Sequence, residues 1–298
     1  MKGFKEIKKF ATIDIGSNAI RLLISNVIFR ENFNPEATKN ALVRVPIRLG
    51  QDAFTLGLIS DENISRLIDT MFSFKLLMKV HKVEKHLAYA TSALRSSSNG
   101  IKVIRDVEYK TGISIKIIDA KKEGALITKD KLFNYKNNLN TYCFIDVGGG
   151  STELTIFKNG KILKSNSFKI GGVRLINNLV TKKTWNSFEE WIKNNIKNFK
   201  NIRVIGLGGN INKIFKISGL KLGTPLTLKK LNSTISKVDK MSYIDKTLKL
   251  KLNPDRVDVI VPAGKIYQFL LNCSDINQIE VPKIGLADGM VSELLNKL

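Results

Sequence analysis

Two glycine turns, each led by an aspartate at the end of an apolar run, constrain the fold of this chain more than any other feature. The first reads Phe10-Ala11-Thr12-Ile13-Asp14-Ile15-Gly16-Ser17-Asn18, and the second Cys143-Phe144-Ile145-Asp146-Val147-Gly148-Gly149-Gly150-Ser151-Thr152-Glu153. Short apolar runs bounded by turn residues predict strands. A carboxylate at the strand end can hold a divalent cation or orient a water. Glycines let backbone N–H groups close on phosphate oxygens, and the Ser, Thr and Asn side chains add donors. Asp14 and Asp146 stand 132 residues apart, so the repeat predicts duplicated halves that face one phosphate site.

A chain of 298 residues is long enough for two domains with their own cores. Its apolar content of 43% and charged content of 25% place it among globular proteins rather than disordered ones. Cys143 and Cys273 lie far apart, which argues against a disulfide framework and for a reducing compartment. Met1 to Lys9 is basic, but Phe10 opens a strand pattern rather than the apolar core of a signal peptide. No apolar run reaches the ~18 residues of a membrane span. The expectation is a cytoplasmic protein with no membrane partner. The formal net charge is +23, and two readings of it stand. A polyanionic partner such as nucleic acid, polyphosphate or a nucleotide would account for it. An AT-rich coding bias would produce it without function, since Lys and Asn are abundant throughout, as in Lys131 to Asn138.

Strands are predicted at Ala11 to Ile15, Arg21 to Ile28, Ala41 to Leu49, Lys85 to Thr91 and Ser114 to Ile118. Asp61 to Val80 reads as a helix, with Ile64, Leu67, Ile68, Met71 and Phe72 at 3–4 spacing and Ser60 or Asp61 as the cap. Ser98-Asn99 caps a helix through Ile101, Ile104 and Val107, and Asp119 caps another through Ala125 to Ile127. The second half repeats the opening meander: Tyr142 to Val147, Glu153 to Lys158 and Lys161 to Lys169, turning at Asn159-Gly160. Helices are expected at Gly172 to Val180, Ser187 to Phe199, Thr227 to Met241, Asp245 to Leu250, from Pro254 through Leu271, and at Leu286 to Leu295. Strands are expected at Ile202 to Leu207 and Gln278 to Pro282. This alternation predicts an α/β fold with a mixed sheet in each of two domains, 1–124 and 125–298, joined by a short hinge near Lys121 to Lys131.

An ordered set of motifs resembles the exopolyphosphatase / guanosine pentaphosphate phosphohydrolase (Ppx/GppA) family, within the actin-like, sugar-kinase and Hsp70 fold group. It comprises Asp14-Ile15-Gly16-Ser17-Asn18 with Arg21, Arg48-Leu49-Gly50-Gln51, Ala90-Thr91-Ser92-Ala93-Leu94-Arg95, Asp146 to Leu154, Gly171-Gly172-Val173-Arg174-Leu175, Gly206-Leu207-Gly208-Gly209-Asn210, Asp255 to Ile260 and Gly285-Leu286-Ala287-Asp288-Gly289. The resemblance covers nearly the whole chain. It implies two actin-like domains with the site in the cleft between them. It also implies Mg²⁺-assisted hydrolysis of a terminal phosphoanhydride in polyphosphate or in guanosine pentaphosphate (pppGpp). Nucleic acid is not the expected partner, and relatives commonly form homodimers. Larger relatives carry further helical domains, so short polyphosphates are the expected preference for a chain of this length.

The resemblance assigns roles residue by residue. Asp146 and Glu153 stand where the family holds Mg²⁺ and orients the attacking water; a surface hairpin acid pair is the structural alternative. Asp14 ligates Mg²⁺ through water. Glu123 aligns with the catalytic base, although Lys122 replaces the preceding glutamate and Gly124-Ala125 the following Ala-Arg. As a purely structural residue, Glu123 would be a first-turn acid favoured by the helix dipole. Lys122 beside it is expected to weaken it as a base. Arg95, Arg48 and Arg21 resemble phosphate-facing cations, whose planar forks bind two oxygens where lysine cannot. Arg256 is expected to pair with Asp255 or Asp258, or to line the outer groove. Ser17, Asn18, Ser151, Thr152 and the amides of Gly148, Gly149, Gly208 and Gly209 would cradle phosphates.

Absent motifs narrow the chemistry. His81 and His86 lack the pattern of a zinc site, and neither a Gly-x-Ser-x-Gly elbow nor a P-loop lysine occurs. Two alternatives to the hydrolase stay open: a non-catalytic polyanion binder, kept in play by Lys122, Gly124 and Ala125, and an actin-fold ATPase or kinase.

Overall fold

The computed structural model describes residues 3–126, 140–197, 199 and 201–297. The chain divides into two compact units, residues 1–130 with 286–298, and residues 131–285. Among the described residues, no helix is long and apolar enough to cross a membrane.

The first unit opens as an antiparallel meander of β1 (Phe4–Ile15), β2 (Ile20–Arg30) and β3 (Glu36–Val45). It continues through α1 (Leu49–Thr55), α2 (Asp61–Val80), β4 (Lys85–Ala90), α3 (Ser92–Ser96), α4 (Gly100–Thr111), β5 (Lys116–Ile117) and α5 (residues 120–126). The five-stranded sheet has the order β3-β2-β1-β4-β5, with β4 parallel to both β1 and β5. Helix α2 has the predicted bounds because Ser60 caps it, accepting the Asn63 amide at 3.3 Å. Its buried face runs through Leu67, Met71, Phe74 and Met78, while Phe72, read as part of that face, is exposed. The third strand ends at Val45, and Leu49 opens α1 instead of closing the strand, because Arg48 turns left-handed at φ 62. Asn99 precedes α4 as expected but does not cap it through its side chain. That side chain is bonded to the Ile59 amide and carbonyl, tying two loops together. The predicted helix extension to Ile127 lies outside the described residues.

The second unit repeats the plan. Strands β6 (Thr141–Val147), β7 (Thr152–Lys158) and β8 (Lys161–Phe168) form an antiparallel meander. The β7–β8 turn places both Asn159 and Gly160 at positive φ, 49° and 79°, as a two-residue hairpin requires. Then follow α6 (Gly172–Ile176), α7 (Lys182–Asn195), β9 (Ile202–Leu207), α8 (Gly208–Ser218), β10 (Leu226–Thr227), α9 (Leu228–Asp239), α10 (Tyr243–Leu248), α11 (Pro254–Val257), α12 (Ile260–Ser274) and β11 (Gln278–Ile279). The sheet order is β8-β7-β6-β9, with β9 parallel to β6. Strands β6 and β7 are buried almost throughout, whereas the edge strand β8 is exposed and lysine-bearing, which discourages edge-to-edge pairing. The expected class is therefore observed: α/β, with a mixed sheet in each unit whose opening meander is extended by a parallel strand.

The last helix, α13 (Leu286–Leu295), has its predicted bounds but not its predicted domain. Its contacts assign it to the first unit rather than to a domain running from 125 to 298. Apolar burial explains this: Leu294 packs with Phe10 and Val27, and Ala287 and Val291 pack with Leu23. Polar ties add direction. The Thr12 hydroxyl donates to the Ala287 carbonyl at 3.1 Å, and Lys39 pairs with Asp288 at 2.7 Å. Glu293 accepts the Tyr89 hydroxyl at 3.1 Å and pairs with Lys122 at 2.9 Å and Lys297 at 3.1 Å.

Burial, and then the Glu293 carboxylate, push the Tyr89 phenol up to about 12. An unfolded tyrosine titrates near ~10. Because the folded value is the higher, this contribution to stability is fully present below pH ~10 and is lost as pH rises towards about 12. Urea titrations at alkaline pH should therefore show wild-type stability falling more steeply above pH ~10 than that of Tyr89→Phe. Parallel slopes for the two proteins would refute the assignment.

Candidate functional site

In an open α/β sheet, ligands gather at the carboxyl ends of parallel strands. In the first unit that edge is fixed by backbone bonds: the Thr91 amide donates to the Ile15 carbonyl at 3.1 Å, and the Ile118 amide to the Ala90 carbonyl at 3.0 Å. The first glycine turn stands here. Its Ser17 carbonyl accepts the Gly50 amide at 2.7 Å, and its Asn18 carbonyl the Arg48 amide at 3.2 Å. A Cβ on Gly50 would lie 2.7 Å from the Ser17 Cβ, so only glycine permits α1 to approach the turn this closely. The Ser17 and Ser92 hydroxyls share a hydrogen bond of 2.7 Å. Ser17, Asn18 and Arg48 are thus brought together at one edge.

Asp14 and Arg21 face each other across the β1–β2 register and pair at 2.6 Å, with Asp14 buried. The expected metal carboxylate and the expected phosphate cation are bonded to one another.

Arg95 and Glu123 come from consecutive crossovers, α3 after β4 and α5 after β5. The Arg95 Nη1 donates to the Ile118 carbonyl at 2.7 Å and to Glu123 Oε2 at 3.3 Å. Asp119 caps α5, accepting the Lys122 amide at 2.6 Å. The Lys122 ammonium pairs with Glu293 at 2.9 Å.

In the second unit, Asp146 and Glu153 are direct partners in the β6–β7 register, and directly opposed residues share one face of the sheet. Glu153 is buried and accepts the Ser167 hydroxyl at 2.9 Å. The turn between them is held by its carbonyls. Gly148, Gly149 and Gly150 accept respectively from the Gly172 amide at 3.0 Å, the Val173 amide at 2.9 Å and the Arg174 Nε at 2.8 Å. Burial pulls the pKa of that arginine below its usual value. A Cβ on Gly171 would lie 2.5 Å from the Gly149 carbonyl oxygen. Thr152 departs from expectation: its fully buried hydroxyl donates to the Ile170 carbonyl at 2.7 Å, a structural bond in place of a phosphate contact. Ser151 is buried beside it.

Strand β9 runs directly into α8, so Gly208 and Gly209 occupy a helix N-terminus. Gly208 has φ 87, and a Cβ there would lie 2.2 Å from Asp146 Oδ1. The Asn210 side chain donates to the Val147 carbonyl at 2.9 Å, and Arg256 to the Gly209 carbonyl at 3.4 Å. Tyr267 is fully buried and donates to the Leu207 carbonyl at 3.1 Å. Burial, then the Asp146 charge, raises its pKa well above the usual value.

The donor set suits one kind of metal site. Among the described residues, no group of three or more His, Cys, Asp or Glu side chains gathers to hold an ion. Two opposed carboxylates, Asp146 and Glu153, match an ion such as Mg²⁺, which binds through one or two carboxylates and completes its shell with water and phosphate oxygens.

Residues that sequence reasoning gave no role include Ser92, Arg174, Tyr267 and Glu293. Arg174 and Ser92 lay inside quoted motifs and could have been flagged as donors beside glycine turns. Tyr267 sits in an apolar helix, and Glu293 in a helix whose destination no local pattern reveals.

A sequence profile of the Ppx/GppA phosphatase family matches residues 43–298. A bifunctional 3-dehydroquinate synthase/phosphatase of Fusobacterium nucleatum is 29% identical over 288 residues, a match covering 88% of this chain and 43% of that protein. Exopolyphosphatase 1 of Mycobacterium tuberculosis is 19% identical over 309 residues, covering 97% of this chain and 88% of that protein. The crystal structure of an exopolyphosphatase from Cytophaga hutchinsonii superimposes with a TM-score of 0.83 at 23% identity, covering 98% of this chain and 99% of that one. That likeness establishes a shared fold.

The contact between position 208 and Asp146 is directly testable. A left-handed backbone costs an L-residue ~1–2 kcal/mol, and the carboxylate must also move. Gly208→Ala should lower the unfolding free energy by about 2 kcal/mol or more in urea titrations. A loss below ~0.5 kcal/mol would show that the turn relaxes freely.

Proposed function

This chain belongs to the Ppx/GppA phosphatase family, and we propose that it hydrolyses the terminal phosphoanhydride of inorganic polyphosphate or of guanosine pentaphosphate. The observation that carries this reading is the Glu123 carboxylate set 3.3 Å from Arg95 at the carboxyl edge of the first sheet. Hydrolysis needs a base for the attacking water and a cation for the charge on the transferred phosphoryl group. In this reading Glu123 takes the proton. Arg95 is anchored through Nη1 to the Ile118 carbonyl and Glu123, and its guanidinium would bind phosphate oxygens.

The cradle follows from the same bonding. The Gly148 and Gly208 amides, expected in the cradle, donate instead to the Ser151 carbonyl at 2.9 Å and the Ile284 carbonyl at 3.0 Å, and the amides of Gly149, Gly150 and Ser151 are assigned to phosphate oxygens. The Gly209 amide at the start of α8 joins them, where a helix N-terminus favours an anion. In the first unit Ser17, Asn18 and Arg48 fill the matching role, and the Asp14–Arg21 pair stands beside Gly16. The family works with a divalent metal ion, and Mg²⁺ is the ion proposed. Asp146 and Glu153 would hold it, and when bound it offsets charge on the phosphate oxygens.

Two observations weigh against a binder without catalysis. Glu123 keeps its arginine partner, and Lys122 is paired elsewhere.

Phosphate release should be measured with Mg²⁺ on short polyphosphate, long polyphosphate, pppGpp and ATP in parallel. Release from polyphosphate or pppGpp is expected, and Glu123→Gln should lower kcat by about 10²–10⁴-fold while polyphosphate binding persists. Binding without release from any substrate would establish the non-catalytic reading. Turnover of ATP alone would favour the kinase-like one.

A further inference from the structure

Glu293 joins the last helix of the chain to the helix that carries Glu123. Its side chain is 11% exposed and meets Lys122 at 2.9 Å, Lys297 at 3.1 Å and the Tyr89 hydroxyl at 3.1 Å. Burial alone would raise its pKa, but the bonds from Lys122 and Lys297 outweigh that and hold the carboxyl below its ordinary value. It is therefore an ionised anchor with fixed partners, and removing a partner from a buried carboxylate is strongly unfavourable.

Consecutive residues on a helix project about 100° apart. Lys122 and Glu123 accordingly leave α5 in different directions, the first to Glu293 and the second to Arg95. One ion pair would leave the helix free to rotate about its axis. Two at this angle fix the rotation. The start of α5 is also held by the Asp119 cap and by the bond from Arg95 to the Ile118 carbonyl.

We propose that Glu293 is a positioning residue for hydrolysis: through Lys122 it sets the rotation of α5, and so the placement of the Glu123 carboxylate against Arg95. The proposal rests on the reading of Glu123 as the base. It makes Lys122, the residue that departs from the family pattern, part of the supporting structure of the site.

The test is steady-state phosphate release by the full chain from the substrate turned over best. The variants are Lys122→Met, Lys122→Arg, Glu293→Gln, the double Lys122→Met/Glu293→Gln, and Glu123→Gln. Lys122 is partly exposed at 44% of its side chain, so its variants should fold whether or not Glu293→Gln does, and thermal midpoints will show this. Lys122→Met should lower kcat about tenfold and leave KM within about twofold, as expected when orientation rather than binding is lost. Lys122→Arg should restore most of the rate, and the double variant should be no slower than Lys122→Met, because the two side chains act as one pair. Unchanged kcat in Lys122→Met beside an inactive Glu123→Gln would overturn the positioning role and leave the base intact. A rise in KM alone would overturn it too, making Lys122 a substrate contact. Wild-type turnover by Glu123→Gln, or no release by the wild type, would remove the base and the proposal with it.

Discussion

Asp146 and Gly208 contend for space that only one side chain can fill. The carboxylate lies 2.2 Å from where a Cβ on Gly208 would stand, so a parallel strand can deliver a helix N-terminus to the end of β6 only if that helix begins with glycine. Much of the second unit is arranged around this contact. The Asn210 side chain binds the Val147 carbonyl, Arg256 the Gly209 carbonyl, and Tyr267 the carbonyl just before Gly208. The first unit solves the same problem at Gly50, which lets α1 close on Ser17.

Charge is handled locally despite the large net excess. Four acidic groups in or beside the candidate site have a defined donor: Asp14 has Arg21, Glu123 has Arg95, Glu153 has the Ser167 hydroxyl and Glu293 has two lysines. Surface lysines screened by salt add little to such pairs. The +23 charge therefore has little bearing on the geometry of these pairs.

Much of the plan was legible in sequence because it is encoded locally. Ser60 and the spacing of Leu67 and Met71 delimit α2, Asn159-Gly160 demands a tight hairpin, and Asp119 starts α5. Errors arose where local signals were ambiguous. The mostly apolar stretch from Ala41 to Leu49 reads as one strand, yet the strand stops at Val45 before Pro46 and the left-handed Arg48 turns Leu49 into α1. Phe72 fits a helical stripe by spacing but points to solvent, because the packed face turns towards Phe74 and Met78. Thr152 sits in a phosphate motif, yet its hydroxyl is used to hold the Ile170 carbonyl.

The sequence alone determined the α/β class, the two aspartate-led glycine turns and the roster of candidate groups, since each follows from strand and helix periodicity or from the conformations glycine allows. Tertiary structure decided which of those groups are bonded to which. Asp14 is joined to Arg21 across a strand pair, Glu123 to Arg95 across two crossovers, and Lys122 to Glu293 across the length of the chain. It also assigned the last helix to the first unit. The reason is one of range: caps and periodicity act over a few residues, whereas the partner of a buried charge is set by which distant surfaces must pack together to leave water.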